Sequence, residues 1–346
     1  MMRNLLIITI VLTIITSCNK EKKETEKVKN QTKTEYTALQ TKAKSIFGEL
    51  PKIAENKDNP VTDEKVALGK SLYFDKILSK DQTQSCNTCH NLDTYGVDNF
   101  STSPGDKKGT FGTRNSPTTL NAALHIAQFW DGREPDVEAQ AGGPVLNPVE
   151  MGMPDEKTVV DRLSQVDKYQ QMFAKAFPDD EDPITYENMK KAIGAFERKL
   201  ITPSKFDNYL AGDDMSLNEI EKKGLQLFID KGCIACHSGN AIGGNIYQKF
   251  GVFGNYWEHT KSKNIDEGKF EVTKNEVDKY VFKSPSLRNV SKTYPYFHDG
   301  SVKELDEAVK IMAKTQLNLD LSDQELKAII AYLNSLTGEV PADLKL

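Results

Sequence analysis

Apolar positions recur at helical spacing in both halves of the chain. Met189, Ile193, Phe196 and Leu200 share one face of a helix that ends the first half. In the second half, Ser322-x-x-Glu325 reads as a capping box. It opens a helix carrying Leu326, Ile329, Ile330, Leu333 and Leu336, with Gly338 as its stop. Ser216 and Glu219 predict a further box, ahead of an apolar face made of Ile220, Leu227 and Phe228. Two related patterns, Gly69-x-x-Leu72-Tyr73-Phe74-Asp75 and Gly224-x-x-Leu227-Phe228-Ile229-Asp230, point to an internal duplication. The helical pattern breaks between Leu200 and Gly212, at Thr202–Pro203–Ser204 and Ala211–Gly212–Asp213. Residues 91–118 and 239–285 read as long loops. The expected fold is mainly α, in two domains spanning 41–205 and 206–346.

The first residues follow a different rule. Arg3 precedes a continuous apolar run, Leu5 to Ile15, which is too short to span a bilayer comfortably. The run ends in Ile15–Thr16–Ser17–Cys18, a pattern like a bacterial lipobox, in which the cysteine becomes the lipidated first residue. Residues 1–18 are therefore expected to be a lipoprotein signal peptide, and the protein to be exported, periplasmic and anchored through Cys18. Residues 19–40 begin Lys/Glu/Thr-rich and read as a flexible linker that cannot bury enough surface to fold. The whole chain has 346 residues, 38% hydrophobic and 27% charged, enough for two cores. Its net charge of −5 offers no footprint for nucleic acid.

Cysteine changes the picture. Besides Cys18, the cysteines form two C-x-x-C pairs, Cys86/Cys89 and Cys233/Cys236, each followed at once by histidine, His90 and His237. Disulfides or a four-cysteine zinc site would leave both histidines unexplained. A thioredoxin-like pair should sit at a strand-to-helix junction, and nothing strand-like precedes either motif. C-x-x-C-H has its own logic: two thiols add to the vinyl groups of a haem, and the adjacent histidine reaches the iron from the same face. Two covalently bound c-type haems are expected.

Ordered matches extend from about residue 45 to the C-terminus. They are Arg114–Asn115–Ser116–Pro117–Thr118, Gln128–Phe129–Trp130–Asp131–Gly132–Arg133, Gly143–Pro144-x-x-Asn147–Pro148-x-Glu150–Met151, Ser286–Leu287–Arg288–Asn289–Val290 and Tyr294–Pro295–Tyr296–Phe297–His298–Asp299–Gly300. With both haem motifs in order, the chain resembles the bacterial dihaem cytochrome c peroxidases. The resemblance implies that an N-terminal haem on His90 reduces hydrogen peroxide, with Glu150 moving the peroxide proton and Gln140 orienting the substrate. It implies a C-terminal haem held by His237 and Met312 that takes electrons from a small donor such as a cytochrome c. Taken alone, Met151, Met153 and Met215 compete with Met312. The resemblance also places Trp130 between the haems and assigns Asn115, Thr293 and Pro295 to a calcium ion between the domains. It implies a homodimer, with membrane contact only through the lipid anchor.

The chain departs from the family pattern at one position. Many such enzymes cap the resting peroxidatic iron with a histidine in a Ser-x-Gly-His run. Here the run is Ser103–Pro104–Gly105–Asp106, and no histidine lies between His90 and His125. An open or water-ligated iron is expected, with His125 or Lys107 as rival ligands. His298 is expected near the haems, His125 packed, and His259 exposed. Competing functions are a dihaem electron carrier, a redox or peroxide sensor, and a related dihaem oxidase acting on another substrate. In the relative that matures a protein-derived quinone, a tyrosine replaces the methionine ligand, so Met312 argues against that last reading.

Overall fold

The computed structural model describes residues 37–346, so Cys18 and the signal segment lie outside the described residues. The end of the expected linker is already helical. Thr37 caps α1 (Ala38–Phe47), accepting from the Gln40 N–H while the Gln40 side chain accepts from the Thr37 N–H. The first half continues with α2 (Asp63–Phe74), α3 (Cys86–Cys89), α4 (Val137–Leu146), α5 (Glu156–Ser164), α6 (Asp167–Ala176) and α7 (Tyr186–Glu197). The second holds α8 (Lys205–Leu210), α9 (Glu219–Asp230), α10 (Tyr256–Thr260), α11 (Phe270–Thr273), α12 (Leu305–Leu317) and α13 (Asp323–Ser335). Strands β1 (Tyr247–Lys249) and β2 (Val281–Lys283) pair antiparallel, with Tyr247 opposite Lys283. The architecture is mainly helical, in two cytochrome c-like halves.

The duplication is visible as one helix crossing made twice. In the first half α2 crosses α7 at Gly69, where a Cβ would lie 1.9 Å from the Ala192 carbonyl oxygen and 2.9 Å from Phe196 Cβ. In the second, α9 crosses α13 at Gly224, where a Cβ would lie 1.9 Å from the Ala328 carbonyl oxygen and 2.9 Å from Tyr332 Cβ. Glycine is required at both positions because the partner backbone occupies the space of a side chain. Met189, Ile193, Phe196 and Leu200 are all fully buried, as their spacing predicts. Ser322 and Glu325 form the predicted box at the start of α13.

The start of α9 differs from expectation. Its cap is Asn218, paired reciprocally with Glu221, whereas the Ser216 hydroxyl donates to Asp213. Leu217 is buried in the second core, so the helix begins only after it. Ile220 consequently stays partly exposed, while Leu225, Phe228 and Ile229 turn inward. The expected break at 202–212 also contains α8, with Ser204 as its cap.

Terminal segments cross between the halves. Ala43 and Phe47 of α1 join Phe206, Leu225, Phe228 and Leu333 in the second core. Val340 and Leu344 from the C-terminal tail join Tyr73, Leu92, Leu120 and Phe196 in the first. Between the halves, Asn121 and Asn289 both adopt left-handed backbone, φ 61° and 62°, and both donate to the Thr202 hydroxyl, at 2.8 and 2.9 Å.

Candidate functional site

The first motif forms α3 and its cap. The His90 N–H donates to the Cys86 carbonyl at 2.9 Å, and the Tyr73 hydroxyl donates to the His90 carbonyl at 2.6 Å. Tyr73 comes from α2, so the Gly69 crossing indirectly sets where His90 lies. Burial holds the His90 imidazole below its usual pKa, and its Nδ1 has no hydrogen-bond partner. Burial also pushes the Cys86 thiol up to about 12 and the Cys89 thiol up to about 11.

The second motif lines a cavity of about 340 Å³. Cys233, Cys236 and His237 contribute to its wall, together with apolar groups such as Phe228, Leu305 and Val309, and with Met312 from α12. The His237 N–H donates to the Cys233 carbonyl at 3.0 Å. Burial lowers its imidazole to about 4, so the ring is neutral and competent to ligate iron. Its Nδ1, like that of His90, lacks a hydrogen-bond partner. The competing methionines lie elsewhere: Met151 and Met153 are buried in the first helical core, and Met215 is 86% exposed. Among the described residues no group of three or more His, Cys, Asp or Glu is placed to hold a metal ion. The residues present therefore fit c-type haems: a buried histidine beside two thiols in each half, with an apolar cavity wall at the second.

Gln140 lies on α4, and the chain after that helix turns back so that the Met151 N–H reaches the Pro144 carbonyl at 3.1 Å. This turn presents Glu150. Burial raises its carboxyl pKa, although Arg133 and the Asn147 side chain act in the opposite direction. The Glu150 charge reaches the Cys89 thiol, which ties this turn to the first motif. Arg133 itself stacks 3.4 Å over the Phe129 ring and pairs with Asp131.

Asp106 is buried, and its carboxylate is fully engaged. Oδ2 accepts from the Asp81 N–H at 2.6 Å, and Oδ1 accepts from the Thr83 N–H at 3.1 Å and the Thr83 hydroxyl at 2.6 Å. Burial alone would raise its pKa, but these bonds outweigh burial and hold it below the usual carboxylate range. Its own N–H donates to the Glu150 carbonyl at 2.6 Å. Asp106 thus ties the segment just before Cys86 to the turn that carries Glu150. Of the two rival ligands, Lys107 is exposed, and His125 Nδ1 sits 3.2 Å from Lys283 Nζ in the second half.

Trp130 lines the His237 cavity, and its indole N–H donates to the Asn115 carbonyl at 2.9 Å. Arg114 fixes the following residue, bridging Asp131 and Asp266. Asn115 donates from Nδ2 to the Phe100 carbonyl at 2.9 Å, and its N–H to the His298 carbonyl at 2.7 Å. Asn99 donates to the Tyr294 carbonyl at 2.7 Å, a second link between the 99–115 and 294–298 segments beside the Asn115–His298 bond. His298 is buried beside Trp130, with ring centroids 6.4 Å apart, and stacks on Phe282. His259 is half-buried on α10 rather than exposed, because that short helix packs on α12. Two buried groups carried no readable signal in the sequence. Lys283 sits in an apolar strand beside the cavity, and Asp98 leaves Oδ2 buried without a partner.

Comparison with known proteins gives concordant matches. The di-haem cytochrome c peroxidase family model matches residues 63–215, and the cytochrome c model matches residues 221–337. The chain is 44% identical to the cytochrome c551 peroxidase of Pseudomonas aeruginosa, over 88% of each chain. It is 46% identical to the cytochrome c551 peroxidase of Nitrosomonas europaea, over 83% of this chain and 84% of that one. Among solved structures, a MauG-like protein associated with microbial copper homeostasis superposes with a TM-score of 0.75 at 28% identity. That match covers 84% of this chain and 94% of the other.

Proposed function

Since the chain belongs to the dihaem cytochrome c peroxidase family, we propose that its two haem motifs divide the work, with reduction of hydrogen peroxide at His90 and electron entry at His237. The reaction takes one hydrogen peroxide, two electrons from a small cytochrome or similar donor, and two protons to two waters. When bound, the two c haems supply the iron that exchanges electrons with donor and peroxide.

Gln140 orients the peroxide through its side-chain amide. The Glu150 carboxylate takes the proton from one peroxide oxygen and returns it to the departing one, which a half-buried carboxyl with a raised pKa suits. His237 and Met312 close the other centre, a thioether favouring the reduced state of an electron acceptor. Trp130, lining that cavity and bonded to Asn115, supplies the connection between halves. The reading rests most on the Asp106 clamp. With that carboxylate bound to Asp81 and Thr83, and Lys107 exposed, neither side chain would be held for the iron, which would leave the peroxidatic site open to substrate in the fully oxidised state.

The deciding experiment is steady-state peroxide consumption with a reduced small cytochrome, comparing wild type with Glu150→Ala. Loss of about 10²–10⁴ in turnover is expected of a proton-transferring group. Unchanged turnover removes Glu150 from that role.

Further parts of the reading have their own checks. The 41–205 and 206–346 segments are the two haem domains, each retaining one haem after proteolysis between them. Calcium at Asn115, Thr293 and Pro295 would be lost to chelators, with a drop in activity restored by the ion. Sedimentation would report the homodimer. Export to the periplasm and lipidation of Cys18 would appear as a membrane-bound, acylated N-terminus.

A further inference from the structure

Lys283 is the one side chain at the His237 cavity whose charge has no visible counterpart. It is 7% exposed, lies at the end of β2, and lines the cavity together with Cys236, His237 and Met312. Its backbone N–H donates to the Trp130 carbonyl at 2.8 Å, which fixes the residue between the cavity and the tryptophan. Its ammonium has a single polar neighbour, His125 Nδ1 at 3.2 Å. That imidazole is held well below its ordinary pKa, first by burial and then by Lys283 itself, so it is neutral and offers no charge. Nearby Asp131 is already committed to Arg114 and Arg133. Among the described residues no carboxylate pairs with Lys283, and burial brings its pKa down to about 8 with no acid acting against that.

An ammonium buried without a counter-ion keeps a desolvation penalty that nothing around it offsets. A group that enters this cavity carrying carboxylates would remove the cost, and a haem brings two propionates. We infer that the Lys283 ammonium is the counter-charge of one propionate of the haem attached at Cys233 and Cys236. This deepens the proposed function: it rests on a haem being bound there and names the residue that orients it. Lys283, bonded through its backbone N–H to the Trp130 carbonyl, would hold that propionate on the side of the cavity nearest Trp130. A fixed cation beside the haem also favours the reduced state, which suits an electron-entry centre. His125 acts as a positioning residue here, accepting from the ammonium and holding it against the cavity wall.

The test is a redox titration of the full-length dihaem protein, with the spectrum of each haem followed separately. Lys283→Gln should lower the midpoint potential of the C-terminal haem and leave the N-terminal haem unmoved. Lys283→Arg should return the potential toward wild type, because it keeps the charge. An unchanged C-terminal potential in Lys283→Gln overturns the proposal. So does a change of axial ligation in that variant, which would make Lys283 an iron ligand instead. Haem content per chain, measured in parallel, separates failure of this proposal from failure of the dihaem reading: a wild-type protein with fewer than two haems sinks the latter. Lys283→Arg, which keeps the charge, supplies the second variant.

Discussion

At the residue scale, the informative position is Asp106, where the Ser-x-Gly-His run of the resemblance would put a histidine and this chain carries a hydrogen-bond acceptor. The sequence showed the replacement but not its purpose, because a lone aspartate in a Gly/Lys-rich loop reads as a solvated side chain. The structure gives it three donors and a link to Glu150. Asp106→Ala would remove the acceptor for the Asp81 and Thr83 donors, both on exposed residues that can turn to water, at about 0.5–1.5 kcal/mol for each bond lost. Thermal unfolding of the variant should fall accordingly, while peroxide turnover drops because the Glu150 turn loses its tie to the segment before Cys86. The wild-type protein, fully oxidised, should give a high-spin ferric resonance from its N-terminal haem. A purely low-spin signal of the bis-histidine type in electron paramagnetic resonance would contradict the open iron.

At the scale of elements, the Gly69 and Gly224 crossings are the clearest consequence of the duplication. A methyl group at either position meets a backbone carbonyl carbon at 2.6 Å, which no side-chain rotation relieves. Overpacking of this kind costs about 1–3 kcal/mol or more. Gly69→Ala should perturb the N-terminal haem spectrum and Gly224→Ala the C-terminal one, each lowering the thermal midpoint. Equal perturbation of both haems by either variant would argue against two separate helix crossings. These helices were legible because their apolar spacing, caps and glycines are local features of the chain. The start of α9 was misplaced by two residues, since Ser216/Glu219 and Asn218/Glu221 both satisfy the capping pattern. Only the burial of Leu217, a tertiary fact, chooses between them. The same limit hid Lys283. Its neighbours Trp130, His125 and His237 are distant in sequence, and a lysine after Val281–Phe282 carries no local sign of a cavity.

For the whole molecule, acid stability should be governed by a buried junction near the end of α7. Arg198 binds both oxygens of Glu138 at 2.7 and 2.6 Å and donates to the Ala54 carbonyl at 3.0 Å, joining α4, α7 and the segment before α2. Burial works against the Glu138 charge, but Arg198 and Asn59 outweigh it, so the folded pKa lies below the ordinary 4.5. A carboxylate depressed on folding stabilises the protein above that ordinary value. Its contribution is lost as pH falls through the folded pKa. Glu197, next in sequence to Arg198, has the opposite sign: burial raises its pKa to about 8. Its contribution is complete below the ordinary 4.5 and is lost as pH rises from there through about 8. The two effects together predict a thermal midpoint that is highest near the ordinary carboxylate value of 4.5 and declines on either side. Glu138→Gln leaves Arg198 buried and unpaired, at about 3–5 kcal/mol near neutral pH. The gap from wild type should narrow on acidification below the ordinary carboxylate pKa, as the wild type loses the same charge. Glu197→Gln should instead flatten the decline on the alkaline side. Thermal midpoints measured from acid to mildly alkaline pH would test both signs, and curves for Glu138→Gln and wild type that stay parallel throughout would show that this ion pair does not control acid unfolding.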